Sequence, residues 1–536
     1  MKRILLSALA LLGLAQVLSS CKKDFLDETP QSLYTPQTTL VDSLGIEAGM
    51  TGLMSVVRDI YTTTEPQALL SVMQVGTDVA SMAGPPQGVE VPYYNYEKLQ
   101  SQDAGAAFYW TSCYRIINNA NILIQAAAKA PGTVRQGYKN RIVAEARFYR
   151  AYAYNFLATL YGDVPLVLES ITTPRTDFTR TPVADINAAI ITDLTTAIPG
   201  LFLASNPVQP SGRITQGAAQ QLLAEVYLRT NQANLAEQQC QAILASNQYR
   251  LITARYGVKA GSPGDYYSDM FLVGNQRRNQ GNTEIIWGIE QQLNVPGGAH
   301  IEPTTYQGGQ QRRVWVPGYY AINGMVIADS LGGRGIGRIR LSQWVDYRLY
   351  AATDMRNSKY NLKRKFYYND ATKSTLFGKR VIVTGSDTAY RITPYSTKWN
   401  QYNPLDAFGL PTVKDLPMMR LGETYLLLAE AQFKQGNTAG AATSINVLRT
   451  RAQAPQVTAA NIDLDFILDE RARELIGEEQ RRLTLVRTGT LVSRTMRLNG
   501  NPIYVTNLTT NNQLLPIPQS EIDRNVSGTL TQNPGY

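Results

Sequence analysis

The sequence has little of what most catalytic centres require. It contains one histidine, His300, among 536 residues, and it has no GxxxxGK[ST] phosphate-binding loop. A single histidine excludes HExxH zinc sites and other multi-histidine metal centres. A glycosidase built on a carboxylate pair stays open, because Asp and Glu are plentiful, but nothing singles out two of them. The sequence therefore favours binding over catalysis, with no catalytic residue, metal or cofactor expected.

Long apolar runs are also scarce. The clearest one, "ILLSALALLGLAQV" at residues 4–17, follows the basic pair Lys2 and Arg3. A charged start followed by an apolar run of this length is typical of a secretory leader, and the run is shorter than the ~20 residues of a membrane span. We therefore predict that residues 1–20 form a signal peptide.

Cysteine is rare, and one of the three stands directly after this leader. The stretch "LSSC" places small residues before Cys21 and resembles a bacterial lipobox, in which the cysteine is acylated. Each buried methylene contributes roughly 0.8 kcal/mol, so several acyl chains anchor where one does not. We predict lipidation at Cys21, with an ordinary secretory leader as the alternative. Cys113 and Cys240 form no disulfide framework and are equally compatible with a pair or with two buried thiols.

The formal net charge of +9 invites a nucleic-acid interpretation. However, Lys and Arg are spread along the chain, with no long basic run and no nucleic-acid motif, so no nucleic-acid partner is expected. "KRKFYY" at residues 363–368 is better explained as a strand with a solvated face. "GGRGIGRIR" from Gly332 does not fit GxGxxG, and we interpret it as a flexible loop.

Helical periodicity is strong in two parts of the chain. In "EARFYRAYAYNFLATLYGDVPLV", aromatic and aliphatic side chains recur every three to four residues until the turn before Pro165. Residues 222–244 and 427–448 resemble each other, and Ala236 and Ala441 each stand twelve positions after an earlier alanine. This is the helix–turn–helix spacing of tetratricopeptide repeats, in which small residues let paired helices approach closely.

Between residues 250 and 415 the periodicity fades, and Gly, Asn, Pro and Tyr become frequent. Strand-like runs such as "EIIWGIE" and "KRVIVTG" appear there. We interpret residues 251–415 as a loop-rich lobe that carries the ligand site, docked on repeat regions at 21–250 and 416–536. Trp287 alternates with isoleucines in a strand pattern, and Trp110 lies in a helix, so we predict structural roles for both.

Taken together, these stretches of the chain resemble the SusD/RagB family of surface glycan-binding lipoproteins. The resemblance rests on "CKKDFLDETPQS", "AEARFYRAYAYNFLATLYGDVPLV", "MRLGETYLLLAEAQFKQGN", "ILDERARELIGEEQRRLTLVRTG" and the ending "LLPIPQSEIDRN" with "TQNPGY". The family usually has a Gly-His-Arg step where this chain has Glu479, Gln480 and Arg481, which leaves the local polar network in question.

The resemblance implies a mainly α fold with about four tetratricopeptide-like helix pairs and an irregular lobe. It also implies a function: an outer-membrane, cell-surface lipoprotein that captures oligosaccharides and delivers them to a SusC-like TonB-dependent transporter. A peptide-binding lid of a peptide importer is the main alternative, and a surface glycoside hydrolase is another.

Sugar rings stack on aromatic faces, while amides, guanidinium groups and carboxylates bond their hydroxyls. Two clusters fit this chemistry and are the predicted ligand-binding residues, with Trp344 and Tyr347 as weaker candidates. The first cluster is Tyr93, Tyr94 and Tyr96, and the second is Arg312, Arg313, Trp315, Tyr319 and Tyr320.

Overall fold

The computed structural model describes residues 36–62, 72–83, 88–295, 299, 308–402, 412–499 and 505–536. Cys21 and His300 lie outside these residues, so the predicted lipid anchor stays a prediction. The helices are α1 Pro36–Thr39, α2 Ser43–Thr62, α3 Ala104–Lys129, α4 Gln136–Tyr161, α5 Val183–Ala197, α6 Gln216–Arg229, α7 Ala233–Ala245, α8 Tyr266–Asp269, α9 Gln311–Trp315, α10 Gln343–Tyr347, α11 Asp387–Tyr390, α12 Leu421–Lys434, α13 Thr438–Arg451, α14 Leu464–Leu475, α15 Arg481–Arg487, α16 Leu491–Leu498 and α17 Gln519–Arg524. The strands are β1 Ala80–Met82, β2 Ile285–Ile289, β3 Ile339–Leu341, β4 Leu362–Lys363, β5 Tyr395–Ser396 and β6 Leu416–Arg420.

Eight long helices form a continuous row. Each of α2 to α7 packs against the next, α7 then packs against α12, and α12 packs against α13. The two stretches predicted as repeats are the pairs α6–α7 and α12–α13, in which Ala236 and Ala441 are fully buried. The predicted mainly α fold with four helix pairs is therefore confirmed. The contact between α7 and α12 joins two parts of the row that are far apart in sequence.

Helix α4 is deeply enclosed within this row, since nearly its whole second half is buried. It ends at Gly162, whose φ of 72° and ψ of −119° suit glycine and few other residues. Trp287 of β2 packs edge-on against Phe148 and Tyr152 of α4, with ring centroids 5.3 and 5.2 Å apart. The predicted structural role of Trp287 is confirmed, and so is that of Trp110, which is 4% exposed.

The loop-rich segment contains short strands rather than long helices, as expected. "EIIWGIE" forms β2, which pairs antiparallel with β6 directly before α12. Two other strand expectations were wrong in extent: "KRKFYY" contributes only Lys363 to a strand, β4, and pairs with "KRVIVTG" only at the isolated antiparallel bridge between Tyr367 and Arg380. The flexible loop expected at "GGRGIGRIR" was also wrong, since its end forms β3 and pairs with β1.

A buried network of arginines and acids joins this segment to α14. Arg356 donates to Glu474 at 3.0 Å and to Glu470 at 2.8 Å, and Arg420 donates to Glu474 at 2.5 Å. Arg451 also contacts Glu474. Although burial works in the opposite direction, these three arginines hold the pKa of Glu474 well below its usual range. Arg356 therefore fixes the loop-rich segment to α14 through ion pairs.

The step at Arg481, which departs from the usual family pattern, forms a network of its own. Arg481 donates two hydrogen bonds to Asp78, at 2.8 and 2.6 Å, and Arg494 donates a third at 2.8 Å. Glu479 accepts from Arg471 at 2.7 Å. A bidentate arginine–carboxylate pair fixes orientation as well as contact. The segment before β1 is thereby tied to α15 and α16.

Cys113 in α3 and Cys240 in α7 are buried free thiols. No helix among the described residues is both long and apolar enough to span a bilayer.

Candidate functional site

Strand β3 connects the chain segments that lead to the two predicted aromatic clusters. On one side, Ala83 N–H donates to the carbonyl of Arg338 at 3.0 Å, next to the β1–β3 pairing. On the other side, Arg338 N–H donates to the carbonyl of Val314 at 3.0 Å. The chain around β3 therefore lies between the segment that precedes the first cluster and the helix that carries part of the second.

Most side chains of the first cluster are packed inside. Tyr93 is fully buried and donates its hydroxyl hydrogen to Asp103 at 2.5 Å. Tyr96 is 3% exposed, and its hydroxyl accepts from Arg482 at 2.8 Å. The Arg482 guanidinium also lies 4.9 Å from the centre of the Tyr93 ring. The expectation that Tyr93 and Tyr96 offer ring faces to a ligand is corrected: both rings support the wall of the core.

The second cluster is corrected in the same way. Its members Arg312, Trp315 and Tyr319 are 1%, 3% and 0% exposed, and the weaker candidate Trp344 is 7% exposed. The Tyr319 hydroxyl donates to the carbonyl of Gly333 at 2.7 Å, and the Arg494 guanidinium lies 5.5 Å from the Trp344 ring. Tyr319 packs in a small apolar cluster of the lobe, whereas Trp315 and Trp344 pack in the main core.

Three members of the clusters remain partly accessible: Tyr94, Arg313 and Tyr320. The Arg334 guanidinium lies 5.4 Å from the centre of the Tyr320 ring, a cation–π contact that holds the ring in one orientation. Ligand binding by these three residues stays a prediction.

The outward side of β3 carries exposed chemistry that we call the β3 face, made of Arg338, Arg340, Tyr347, Asp346 and Arg364. Successive strand residues point to opposite sides, so Ile339 and Leu341 are buried while Arg338 and Arg340 are partly exposed. Tyr347, at the end of α10, is 73% exposed. The β3 face thus combines a free ring with planar charged groups.

The polar groups of the β3 face are held in fixed positions. Arg338 forms a bidentate pair with Glu90, with one N–O distance of 2.7 Å. Arg364 donates to the Asp346 carboxylate at 2.8 Å, beside Tyr347. Burial together with the charge of Asp346 and its hydrogen bond raises the pKa of Tyr347, while Arg364 and Arg340 oppose the shift. The Tyr347 hydroxyl hydrogen is thus donated to Asp346, and the exposed ring face is what Tyr347 offers to a ligand.

Sequence reasoning missed Arg338, Arg340 and Arg364 and ranked Tyr347 low. A usable signal was present in "GRIRL", where arginines alternate with apolar residues as in a half-buried strand. The glycines around it concealed this signal.

A concave surface lies within the loop-rich segment, and we call it the lysine cleft. Its volume is about 570 Å³, inside the range of roughly 300–1,000 Å³ of small-molecule pockets. Six basic and two acidic side chains line it, beside Tyr360 and Tyr367. Lys414 is 1% exposed at its inner wall. Burial lowers the pKa of Lys414 to about 7, a shift that Asp329 opposes and Lys259 increases.

The chain matches known families over most of its length. Residues 24–228 match the family described as "Starch-binding associating with outer membrane", and residues 306–536 match the SusD family. The chain belongs to the SusD/RagB family. A SusD-like protein of Formosa agariphila is 26% identical over 94% of both chains. The starch-binding protein SusD of Bacteroides thetaiotaomicron is 33% identical over 30% of this chain and 29% of its own.

Solved structures confirm the fold of this SusD/RagB protein. A laminarin-binding SusD-like protein superposes with a TM-score of 0.72 at 22% identity, over 92% of this chain and 100% of its own. Surface glycan-binding protein A of Bacteroides thetaiotaomicron, in complex with laminarihexaose, superposes with a TM-score of 0.70 at 20% identity, over 92% and 99%.

Proposed function

We propose that this SusD/RagB protein captures oligosaccharides at the outer-membrane surface. The observation that carries the proposal is the β3 face, where the exposed Tyr347 ring lies beside the fixed Arg364–Asp346 pair on a SusD fold. Relatives described as binding starch and laminarin support a saccharide ligand. A ring face together with planar polar groups matches the apolar face and the hydroxyl edge of a pyranose.

The chemistry of both surfaces suits binding without turnover. On the β3 face, Asp346 is paired with Arg364 and Glu90 with Arg338. In the lysine cleft, Asp269 is paired with Arg255 and Asp329 with Lys259. A general acid needs free access to the glycosidic oxygen, which acids held by arginine or lysine do not offer. Incubation with a bound glycan should therefore release no product, and product release would favour the hydrolase alternative.

We further propose that Cys21 is acylated and that the captured glycan passes to a SusC-like TonB-dependent transporter. The lipobox-like "LSSC" and the outer-membrane description of the family matched by residues 24–228 support the anchor and the location. Mass spectrometry of the mature N-terminus tests the anchor, because an unmodified Cys21 thiol would contradict it. Affinity purification from the native outer membrane tests the transporter, which should copurify.

The binding proposal is tested first on a glycan array and a peptide library, and then by calorimetry with the best neutral glycan. Tyr347→Ala should weaken binding about tenfold, which corresponds to about 1.4 kcal/mol, because the stacking face is lost. Phe377→Ala is the matched control, since Phe377 is also an exposed ring, 53% accessible, in another part of the lobe.

Binding to peptides but to no glycan would overturn the saccharide proposal and favour the peptide lid. Equal affinities of Tyr347→Ala and the parent protein would remove the β3 face from the site.

A further inference from the structure

The lysine cleft carries more positive charge than its own acids compensate. Three of its six basic side chains have acidic partners: Arg255 contacts Asp269 at 2.6 Å, Lys259 contacts Asp329 at 3.2 Å, and Lys398 contacts Glu478 at 2.5 Å. Because these three side chains are ion-paired, the excess positive charge of the cleft comes from the other three basic side chains.

Lys359, Lys363 and Lys414 have no acidic partner among the described residues. The Lys359 ammonium lies 5.2 Å from the centre of the Tyr360 ring, and Lys363 donates to the carbonyl of Ser330 at 3.3 Å. Lys414 donates to the carbonyls of Lys398 and Asn400, at 2.5 and 3.0 Å. All three ammonium groups are therefore held by rings and carbonyl oxygens, which carry no full negative charge.

At Lys363 and Lys414, which are partly and fully buried, this arrangement costs free energy unless an anion completes it, whereas Lys359 is exposed. An ammonium group taken from water loses solvation that carbonyl contacts only partly replace. Burial and the nearby Lys359 charge both lower the pKa of Lys363. A bound anion would compensate Lys359 and Lys363 and would favour the charged form of Lys414, and the partly enclosed cleft would screen the interaction less than open water does.

The walls of the cleft also fit a ring that carries the anion. Tyr367 is 49% exposed, and Tyr360 is partly exposed beside Lys359. Phe271 closes the inner wall and is 5% exposed. A phosphate-sized ion alone would use the lysines and leave the rings unused, whereas a charged pyranose would use both.

We propose that the lysine cleft binds the anionic group of an acidic saccharide, a carboxylate of a uronic acid or a sulfate ester. This inference rests on the proposed saccharide function and names the class of ligand. In this proposal the β3 face binds the uncharged ring faces and hydroxyl groups of the saccharide, and the lysine cleft selects saccharides that carry an anionic group.

The test uses two matched pairs of probes on the full mature chain. The first pair is tetragalacturonate and its neutral methyl ester, and the second is a sulfated laminarin oligosaccharide and the same compound without sulfate. Calorimetry on the parent protein should show one charged member bound about tenfold more tightly than its neutral match, and 0.5 M NaCl should remove that difference. The pair that shows it identifies carboxylate or sulfate as the group.

Variants then locate the preference in the cleft. The double variant Lys359→Met and Lys363→Met should bind the charged and the neutral member alike, with neutral affinity unchanged. Lys365→Met is the matched control, because Lys365 is an exposed lysine two positions further along the same segment and does not line the cleft. Circular dichroism of each variant verifies folding before binding is compared.

The outcomes separate this inference from the proposed function. Neutral glycans bound as tightly as charged ones by the parent would overturn the acidic-saccharide inference and leave glycan capture intact. A charge preference that persists in the double variant would also overturn it. Loss of the preference in the double variant, with Tyr347→Ala still preferring the charged member, would confirm that the cleft and the β3 face act separately.

Discussion

The α14 network and the lysine cleft both bury positive charge, but they treat it in opposite ways. In the network, Arg356, Arg420 and Arg451 all converge on Glu474. In the cleft, Lys363 and Lys414 face carbonyl oxygens. Basic side chains that are paired with acids join parts of a fold, whereas basic side chains without acidic partners can bind an anion from solution. The number of basic residues thus says less about binding than the presence or absence of their partners.

The largest expected effect comes from breaking the completed network. Glu474→Gln keeps the side-chain volume but removes the carboxylate that Arg356, Arg420 and Arg451 share, so each of these buried arginines loses one of its acidic partners. We expect the free energy of unfolding to fall by about 3–5 kcal/mol, measured by urea denaturation. Glu521→Gln is the control, because Glu521 pairs with the largely exposed Arg524 and should change stability very little. Equal effects of the two substitutions would show that the network does not hold the lobe.

The helical row could be predicted from sequence because its determinants are local. Tyr149, Tyr152, Phe156 and Leu160 recur with the helical period, and all four are buried on α4 as that period requires. The small residues of the α6–α7 and α12–α13 pairs were visible in the same way. Trp287 could be assigned because its strand alternates.

The candidate site could be predicted only in part, because its determinants are distant in sequence. Tyr93 and Tyr96 lie in a stretch whose composition is typical of a binding loop. However, Arg482, 386 positions from Tyr96, contacts both side chains inside the core. No local pattern contains that information. Likewise, β3 is a strand because β1 lies beside it, and Tyr347 is exposed because the ring of Trp344 takes the buried side of a short helix.

The next prediction concerns the pH dependence of the free energy of unfolding that results from the buried amine of Lys414. Its pKa is about 7 in the folded protein, whereas an ordinary lysine titrates near 10.4 in the unfolded chain. Between these values the unfolded chain holds a proton that the folded protein lacks, so stability rises with pH in this window. The slope from one such group is at most about 1.4 kcal/mol per pH unit.

Lys414→Met should therefore flatten the pH dependence of the free energy of unfolding between pH 7 and 9.5. Lys398 leaves a residual slope in the same direction, because burial lowers its pKa to about 8 against the opposing charge of Glu478. Above pH 10, buried tyrosines such as Tyr319, whose pKa is raised to about 12 mainly by burial, reverse the trend. Lys365→Met serves as the control, and an unchanged slope in Lys414→Met would show that Lys414 keeps its proton in the fold.

A smaller effect is expected at the end of α4, where the helical row meets the chain leading to α5. Gly162→Ala places a Cβ in a backbone conformation that L-residues avoid, with the Leu514 Cδ1 atom only 3.1 Å away. We expect a loss of about 1–3 kcal/mol in urea denaturation. Gly132→Ala should be neutral or slightly stabilising, since nothing lies within 4 Å of its Cβ position.

The smallest effect distinguishes packing from covalent closure in the helical row. Cys113 and Cys240 lie on different helices as free thiols, and burial raises the pKa of both. A protonated, buried thiol is a poor nucleophile, so both should resist a thiol reagent in the native protein and react once it is unfolded in denaturant without reductant. Adding reductant should leave the denaturation midpoint unchanged, because no covalent loop constrains the unfolded chain. A denaturation midpoint that falls when reductant is added, with neither thiol reacting in the unfolded protein, would mean that a disulfide joins α3 and α7. The stability of the row would then depend less on the packing of these two helices than their buried faces indicate.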